Sequence, residues 1–133
     1  MTKTLATISV RQPFAWAIMA GIKTVEFRSR PVAYRGPLLI HAGKGEQDLD
    51  ALDTLLADRP EFANPTLYFG CLLGVVDLVD CRLLRPREFG LVLANPRPID
   101  PVRARGSLAL PYQTDVAALA ARFSDLQWIC TCR

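Results

Sequence analysis

The chain has a single histidine, which excludes a metal centre built from several imidazoles. No window approaches eighteen consecutive apolar residues, and no basic N-terminal region leads into an apolar core. A membrane span and a secretory leader are therefore not expected, and the cytoplasm is the expected location. The four cysteines make one Cys-x-Cys, at Cys130 and Cys132, plus the separate Cys71 and Cys81. Structural zinc uses pairs two to four residues apart, so free thiols are expected instead. A Gly-x-Ser-x-Gly elbow and a dinucleotide fingerprint are missing, and Gly43-Lys44-Gly45 is not a P-loop. Acids are scarce near the start: residues 1–44 hold seven Lys or Arg and only Glu26 against them.

The charge that is present falls in blocks. Residues 45–61 carry six acids and one base, and residues 81–111 carry six arginines against Glu88 and Asp100. Folding that merges the two basic blocks makes a positive face, suited to phosphate and sensitive to salt. Half of the 133 residues are hydrophobic and 22% are charged, which argues for one folded domain over residues 1–133 rather than disorder. No repeat or linker divides it.

Residues 4–10 are rich in β-branched side chains and read as a strand. Pro13 fits the first turn of a helix, and Gly21 fits its stop. Thr24 to Phe27 alternates as a second strand, with Val25 and Phe27 on one face and Thr24, Glu26 and Arg28 on the other. Ser29 to Gly36 is a basic loop containing Arg35, and Pro37 to Ala42 is a strand that ends at His41. Glu46 to Ala57 has helical spacing of Leu49, Leu52 and Leu56. Leu67 to Val79 is a long apolar run bent at Gly70 and Gly74, and Phe89 to Leu93 is a further strand. Three prolines make Asn95 to Pro101 an expected irregular connection. Ser107 to Leu110 is expected to pair briefly, Asp115 to Arg122 to form a helix, and Leu126 to Cys130 to close the sheet. The fold class is mainly β with short flanking helices: a small, partly open β-barrel. An α/β sheet fits less well, because the later strands lack crossover helices.

Polar residues gather at the junctions of the first elements. Lys23 follows the glycine stop and Glu26 lies three residues on, so the turn brings an ammonium to a carboxylate. The pair reads either as a structural ion pair or as ligand-contacting groups at a polar mouth. Were the protein an enzyme, Lys23 would stabilise negative charge and Glu26 would position or deprotonate water. Arg11 and Gln12 precede the helix start, where anions are readily held. Trp16 reads as core before it reads as a stacking platform. Arg28, Arg35, His41 and Lys44 complete the candidate ligand contacts. Asp77 and Asp80 read as the end of a buried run.

Ile8-Ser9-Val10-Arg11-Gln12-Pro13-Phe14-Ala15, Gly21-Ile22-Lys23-Thr24-Val25-Glu26-Phe27-Arg28 and Arg35-Gly36-Pro37-Leu38-Leu39-Ile40-His41-Ala42 together resemble the ASCH domain family. Gly74 to Cys81 and Phe89 to Pro96 look similar to it more loosely, so the resemblance covers residues 5–110. It implies a PUA-like β-barrel with a cleft lined by Arg11, Gln12, Lys23, Glu26, Arg28 and the strand ending at His41. The implied ligand is RNA or a nucleoside-like molecule, with no membrane partner and no cofactor needed for binding. Hydrolases of this family type cleave RNA with a metal, here Mg²⁺ or Mn²⁺, or remove the acetyl group of N4-acetylcytidine. The latter use a lysine, a threonine and a glutamate. Lys23 matches the lysine, but the threonine position three residues later is Glu26, and Thr24 does not restore the pattern. RNA or modified-nucleoside binding is thus the first expectation and hydrolysis the second.

Overall fold

Aliphatic and β-branched residues supply the strands. In the computed structural model, which describes residues 3–45, 49–62 and 65–117, six strands form one sheet. They are β1 (Thr4–Val10), β2 (Val25–Arg28), β3 (Gly36–Ala42), β4 (Cys71–Arg85), β5 (Glu88–Arg103) and β6 (Tyr112–Asp115). Helix α1 (Phe14–Met19) lies between β1 and β2, and α2 (Ala51–Leu56) with a 3-10 turn at Pro60–Phe62 lies between β3 and β4. The strand order is β2-β5-β4-β3-β1-β6, so the barrel is partly open, with β2 and β6 at the ends. Only the β1–β3 pair is parallel, because the chain leaves β1, passes through α1 and β2, and returns as β3. Among the described residues no helix is long and apolar enough to cross a membrane.

Strand β3 is buried on both faces from Leu38 to Ala42 and reads accordingly as an apolar run up to Ile40, interrupted only at His41. Leu38, Ile40 and Ala42 pack with Ile8, Val10 and the Ala15, Ile18 and Met19 side of α1. Leu39 packs the other way, with Leu5, Leu72, Val75 and Val116. Helix α1 is held at both ends. The Gln12 side-chain oxygen accepts the Trp16 N–H at 2.9 Å, which satisfies one of the orphan donors of the first turn. At the other end Gly21 has φ +79°, and the N–H groups of Gly21 and Ile22 return to the carbonyls of Ile18 and Ala17. Trp16 stacks edge-on against Phe62, with centroids 5.7 Å apart.

Four expectations from sequence change. Residues 95–101 are not an irregular connection but the second half of β5, paired with β4 through Gly74↔Pro98 and Val75↔Arg97. A proline has no N–H to give, and the register slips between Leu72 and Gly74 and again between Val75 and Asp77; the strand continues by bulging around its prolines. Asp115 ends β6, the 118–122 part of the expected helix lies outside the described residues, and residues 107–110 form no strand, with a bend over 108–110. The acidic helix is shorter than its periodicity suggests, at Ala51–Leu56, and residues 46–48 lie outside the described residues. So do Leu126 to Cys130 and the Cys-x-Cys. Cys71 and Cys81 are free thiols.

Candidate functional site

The site lies where the barrel is open. Strand β6 pairs with β1 only over Thr4 to Thr7, which leaves the Ser9–Val10 end of β1 beyond it. Among the described residues, strand β2 pairs with β5 alone. A side chain bridges the two: Arg28 of β2 donates through Nη2 to the Ser9 carbonyl of β1, and through Nε to Glu26 Oε2 at 2.8 Å. Period-two alternation does put Glu26 and Arg28 on one face, but that face is the inner one. Glu26 is 8% exposed and Phe27 is 54% exposed, the reverse of the usual apolar-in arrangement. Glu26 therefore sits below the mouth rather than at it.

Lys23 arrives from above. The helix stop sends its N–H, with that of Ile22, onto the Ala17 carbonyl. Its Nζ then lies 3.6 Å from Glu26 Oε1, 5.3 Å from the Phe14 ring centroid and 4.9 Å from that of Phe27. The outward phenyl of Phe27 thereby becomes a wall against which a cation is held. These residues enclose a cleft of about 620 Å³, also lined by Ser9, Arg11 and Leu108.

Among the described residues Glu26 is the one carboxylate of this cleft, and its two oxygens face Lys23 and Arg28. A divalent ion would have to displace one of those cations, and no trio of His, Cys, Asp or Glu among the described residues is placed to hold a metal. The donor set does not fit a protein-held Mg²⁺ or Mn²⁺.

The remaining candidates separate. Gln12 is fully buried, and its amide spans Trp16 N–H and the Tyr68 carbonyl, so it is not among the cleft walls. Arg35 donates to the Val32 and Tyr34 carbonyls and lies 3.9 Å from Asp80, also outside the cleft. Asp77 and Asp80 are cross-strand and surface partners of Arg97 and Arg82. His41 and Lys44 line a neighbouring cavity of about 310 Å³ that shares Ser9 and Leu108 with the first.

His41 is 2% exposed, with Nε2 2.7 Å from the Ala104 carbonyl and Nδ1 3.1 Å from Ser9 Oγ. A carbonyl can only accept, so in the neutral ring Nε2 carries the proton and Nδ1 accepts from Ser9. Ser9 Oγ is then free to accept from the Tyr112 hydroxyl at 2.8 Å. Burial pushes the Tyr112 phenol above its ordinary value, against its bonds to Ser9 and the Ser107 backbone, which keeps it a donor. Gly106 covers this chain so closely that a Cβ there would lie 2.6 Å from His41 Cε1 and 2.8 Å from Ser9 Oγ.

Sequence reasoning missed Ser9, Phe14, Phe27, Leu108 and Tyr112 as parts of the site. The outward Phe27 had a signal, since it is the large apolar residue between two charged ones. Tyr112 had none, being brought to Ser9 only by the β1–β6 pairing.

The ASCH domain family matches residues 8–103. Over 81 residues, 56% of the chain, the sequence is 42% identical to Activating signal cointegrator 1 of Homo sapiens. It is 43% identical to the Mus musculus protein of that name over the same length. The match spans only 14% of those proteins. The crystal structure of ASCH from Zymomonas mobilis superimposes with a TM-score of 0.53 at 18% identity, covering 91% of this chain and 94% of that one. A mutant of the Zymomonas mobilis protein gives 0.52 at 19% identity, covering 96% and 97%. At such identity the likeness speaks to the fold.

Proposed function

The chain belongs to the ASCH domain family, and from that premise we propose that its cleft binds RNA or a modified nucleoside. One observation carries the reading: Lys23 is held between two phenyl rings above a buried Glu26, in a cleft of about 620 Å³. That volume falls in the ordinary range for a small organic ligand, about 300–1,000 Å³. The half-exposed Phe27 ring offers a stacking surface to a base, as aromatic side chains do in single-strand readers. Glu26 accepts a hydrogen bond from Arg28 and forms an ion pair with Lys23, and so fixes both cations in place. The ammonium of Lys23, with the Arg11 side chain at the rim, then meets a phosphate or a base edge. His41 and Lys44 serve the adjoining cavity, while Gln12 secures the start of α1, which carries Phe14 of the first, and Arg35 holds the carbonyls of its own loop.

Hydrolysis by the same site, of RNA or of N4-acetylcytidine, is the second reading, favoured by the Lys23–Glu26 pair at 3.6 Å. Both Glu26 oxygens already face a cation, Lys23 on one side and Arg28 on the other, which leaves little room to orient a water and ranks this reading below binding. Fluorescence titration of single-stranded RNA, with a parallel product assay on RNA and N4-acetylcytidine, tests both. Lys23→Ala is expected to weaken binding at least several-fold with no product formed by either protein. Unchanged affinity in Lys23→Ala refutes the binding site, and turnover by the wild type moves the conclusion to hydrolysis.

A further inference from the structure

The registers of four neighbouring strands bring their ends into line: Val10 pairs with Ala42, Ala42 with Cys71, and Cys71 with Arg103. Three strand spacings at about 4.8 Å make that edge roughly 14 Å long. Within two residues beyond these ends stand Arg11, Lys44 and Arg105, with Gly70 before Cys71, so three of the four strand ends carry a cation close by along one edge.

Cavities follow the same line. The Lys23 cleft shares Ser9 and Leu108 with the His41–Lys44 cavity. That cavity shares Lys44 with a third, of about 510 Å³, walled by Phe69, Gly70, Arg103 and Arg105. The Lys44 stem lies against Gly70, where an added Cβ would meet its Cε at 3.2 Å. Lys44, Arg103 and Arg105 are exposed, and no carboxylate among the described residues pairs with them. Among the described residues Glu26 is the one acid in the walls of these three cavities. Phe69 gives the far cavity an aromatic wall, as Phe14 and Phe27 do the near one.

We propose that the ligand is a single strand of RNA several nucleotides long, running from the Lys23 cleft across this edge to a second phosphate-binding station made by Lys44, Arg103 and Arg105. The inference rests on the reading of the Lys23 cleft given above. A basic groove punctuated by aromatic walls is how proteins hold single strands, with about 4–16 nucleotides per small barrel. A free nucleoside or dinucleotide would fill the first cleft and never reach the second station.

The test compares two probes, a uridine dinucleotide and an oligouridylate of roughly eight nucleotides. Each is titrated against wild type, Lys23→Ala and Arg103→Ala/Arg105→Ala over a series of salt concentrations. The double variant is expected to melt like wild type, both side chains being exposed. Its slope of log K against log salt should fall by about 1.4 for the longer probe, at about 0.7 per lost phosphate contact on a single strand. Its dinucleotide binding should be unchanged, whereas Lys23→Ala should weaken both probes. A double variant that binds the longer probe with wild-type affinity and slope overturns the second station, while dinucleotide binding leaves the first cleft standing. Failure of wild type to bind either probe removes the nucleic-acid reading itself, and the station with it.

Discussion

Glu26→Gln is the most informative single change, because it moves stability and binding in opposite directions. The carboxylate lies 2.8 Å from Arg28 Nε and 3.6 Å from Lys23 Nζ. At an effective dielectric of about 20 these separations correspond to gross attractions of about 6 and 5 kcal/mol. Desolvation of the buried carboxylate and of the two partly buried cations offsets most of that. The Lys23 and Arg28 side chains keep 15% and 23% of their exposure, so water partly relieves them once the carboxylate is gone. A net loss of about 2 kcal/mol is expected, within the range of about 1.5–3 for a hydrogen bond to a charged group. At about 2.1 cal/mol/K per residue, a 133-residue chain melts with ~0.28 kcal/mol/K, so Tm falls by about 7 °C.

The amide also removes a negative charge from the cleft. A phosphate about 5 Å away in water is repelled by that charge by ~0.8 kcal/mol, so RNA affinity at low salt should rise about fourfold. Differential scanning calorimetry reads the first effect and fluorescence titration the second. A Tm within about a degree of wild type would refute Glu26 as the counter-charge of Lys23 and Arg28. Weaker binding by a natively folded variant would show instead that Glu26 touches the ligand. Should wild type turn over RNA or N4-acetylcytidine, the same change should cut turnover by about 10²-fold or more.

Phe27→Ala should weaken RNA binding by about 1–3 kcal/mol, the usual worth of a stacked base, with a thermal shift of only a few degrees because the ring is 54% exposed. Wild-type affinity in that variant would remove Phe27 as a stacking wall. Gly74→Ala should destabilise by about 3 kcal/mol or prevent folding, since its Cβ would lie 2.5 Å from the Arg97 carbonyl oxygen and 2.8 Å from Pro98 Cα, both backbone atoms. A chemical melt with an unchanged midpoint would contradict the close β4–β5 approach. The Arg97 hydrogen bond holds Asp77 below its ordinary value, so the unfolded chain binds its proton more readily and stability is lost as pH falls through the folded-state value. The Tm advantage of wild type over Asp77→Asn should therefore be full above about pH 5 and shrink below about pH 4; a gap constant down to pH ~2 would refute the linkage.

Local chemistry wrote the first elements plainly. β-Branched residues mark β1 from Thr4 to Val10, and Pro13 and Gly21 bracket α1. The alternation from Val25 to Arg28 sorts Glu26 and Arg28 onto one face. What that alternation cannot specify is which face points inward. That is decided by whether cations arrive to meet the carboxylate, and both do, Arg28 from the same strand and Lys23 from the turn after Gly21. The same limit explains β5. Three prolines in seven residues argue locally against a strand, and only the slipped register against β4 shows how the chain keeps pairing. The Ser9–His41–Tyr112 chain was legible in one member, His41, because its partners come from β1 and from β6, 103 residues beyond Ser9.

Those non-local features converge on one physical cause. A closed barrel would carry a backbone ladder between β1 and β2, and its strands would have no polar edge to offer. Here the sheet order leaves β2 at one end, and β6 stops short of Ser9 on the other side. A guanidinium reaching from Arg28 to the Ser9 carbonyl replaces the ladder at that seam. Side chains that substitute for backbone pairing must be charged or polar, must be held in place by counter-charge, and cannot fill the space as a strand would. The opening thus requires Arg28, Arg28 requires Glu26, and the gap they leave is the cleft in which Lys23 stands. On this argument Arg28→Met, which keeps an apolar stem and removes the fork, should lower stability and RNA affinity together. Arg28→Lys should recover little of either, because a single ammonium cannot bond Glu26 and the Ser9 carbonyl in the same fixed geometry. Full rescue by lysine, in melting and in titration alike, would show that charge alone closes the seam.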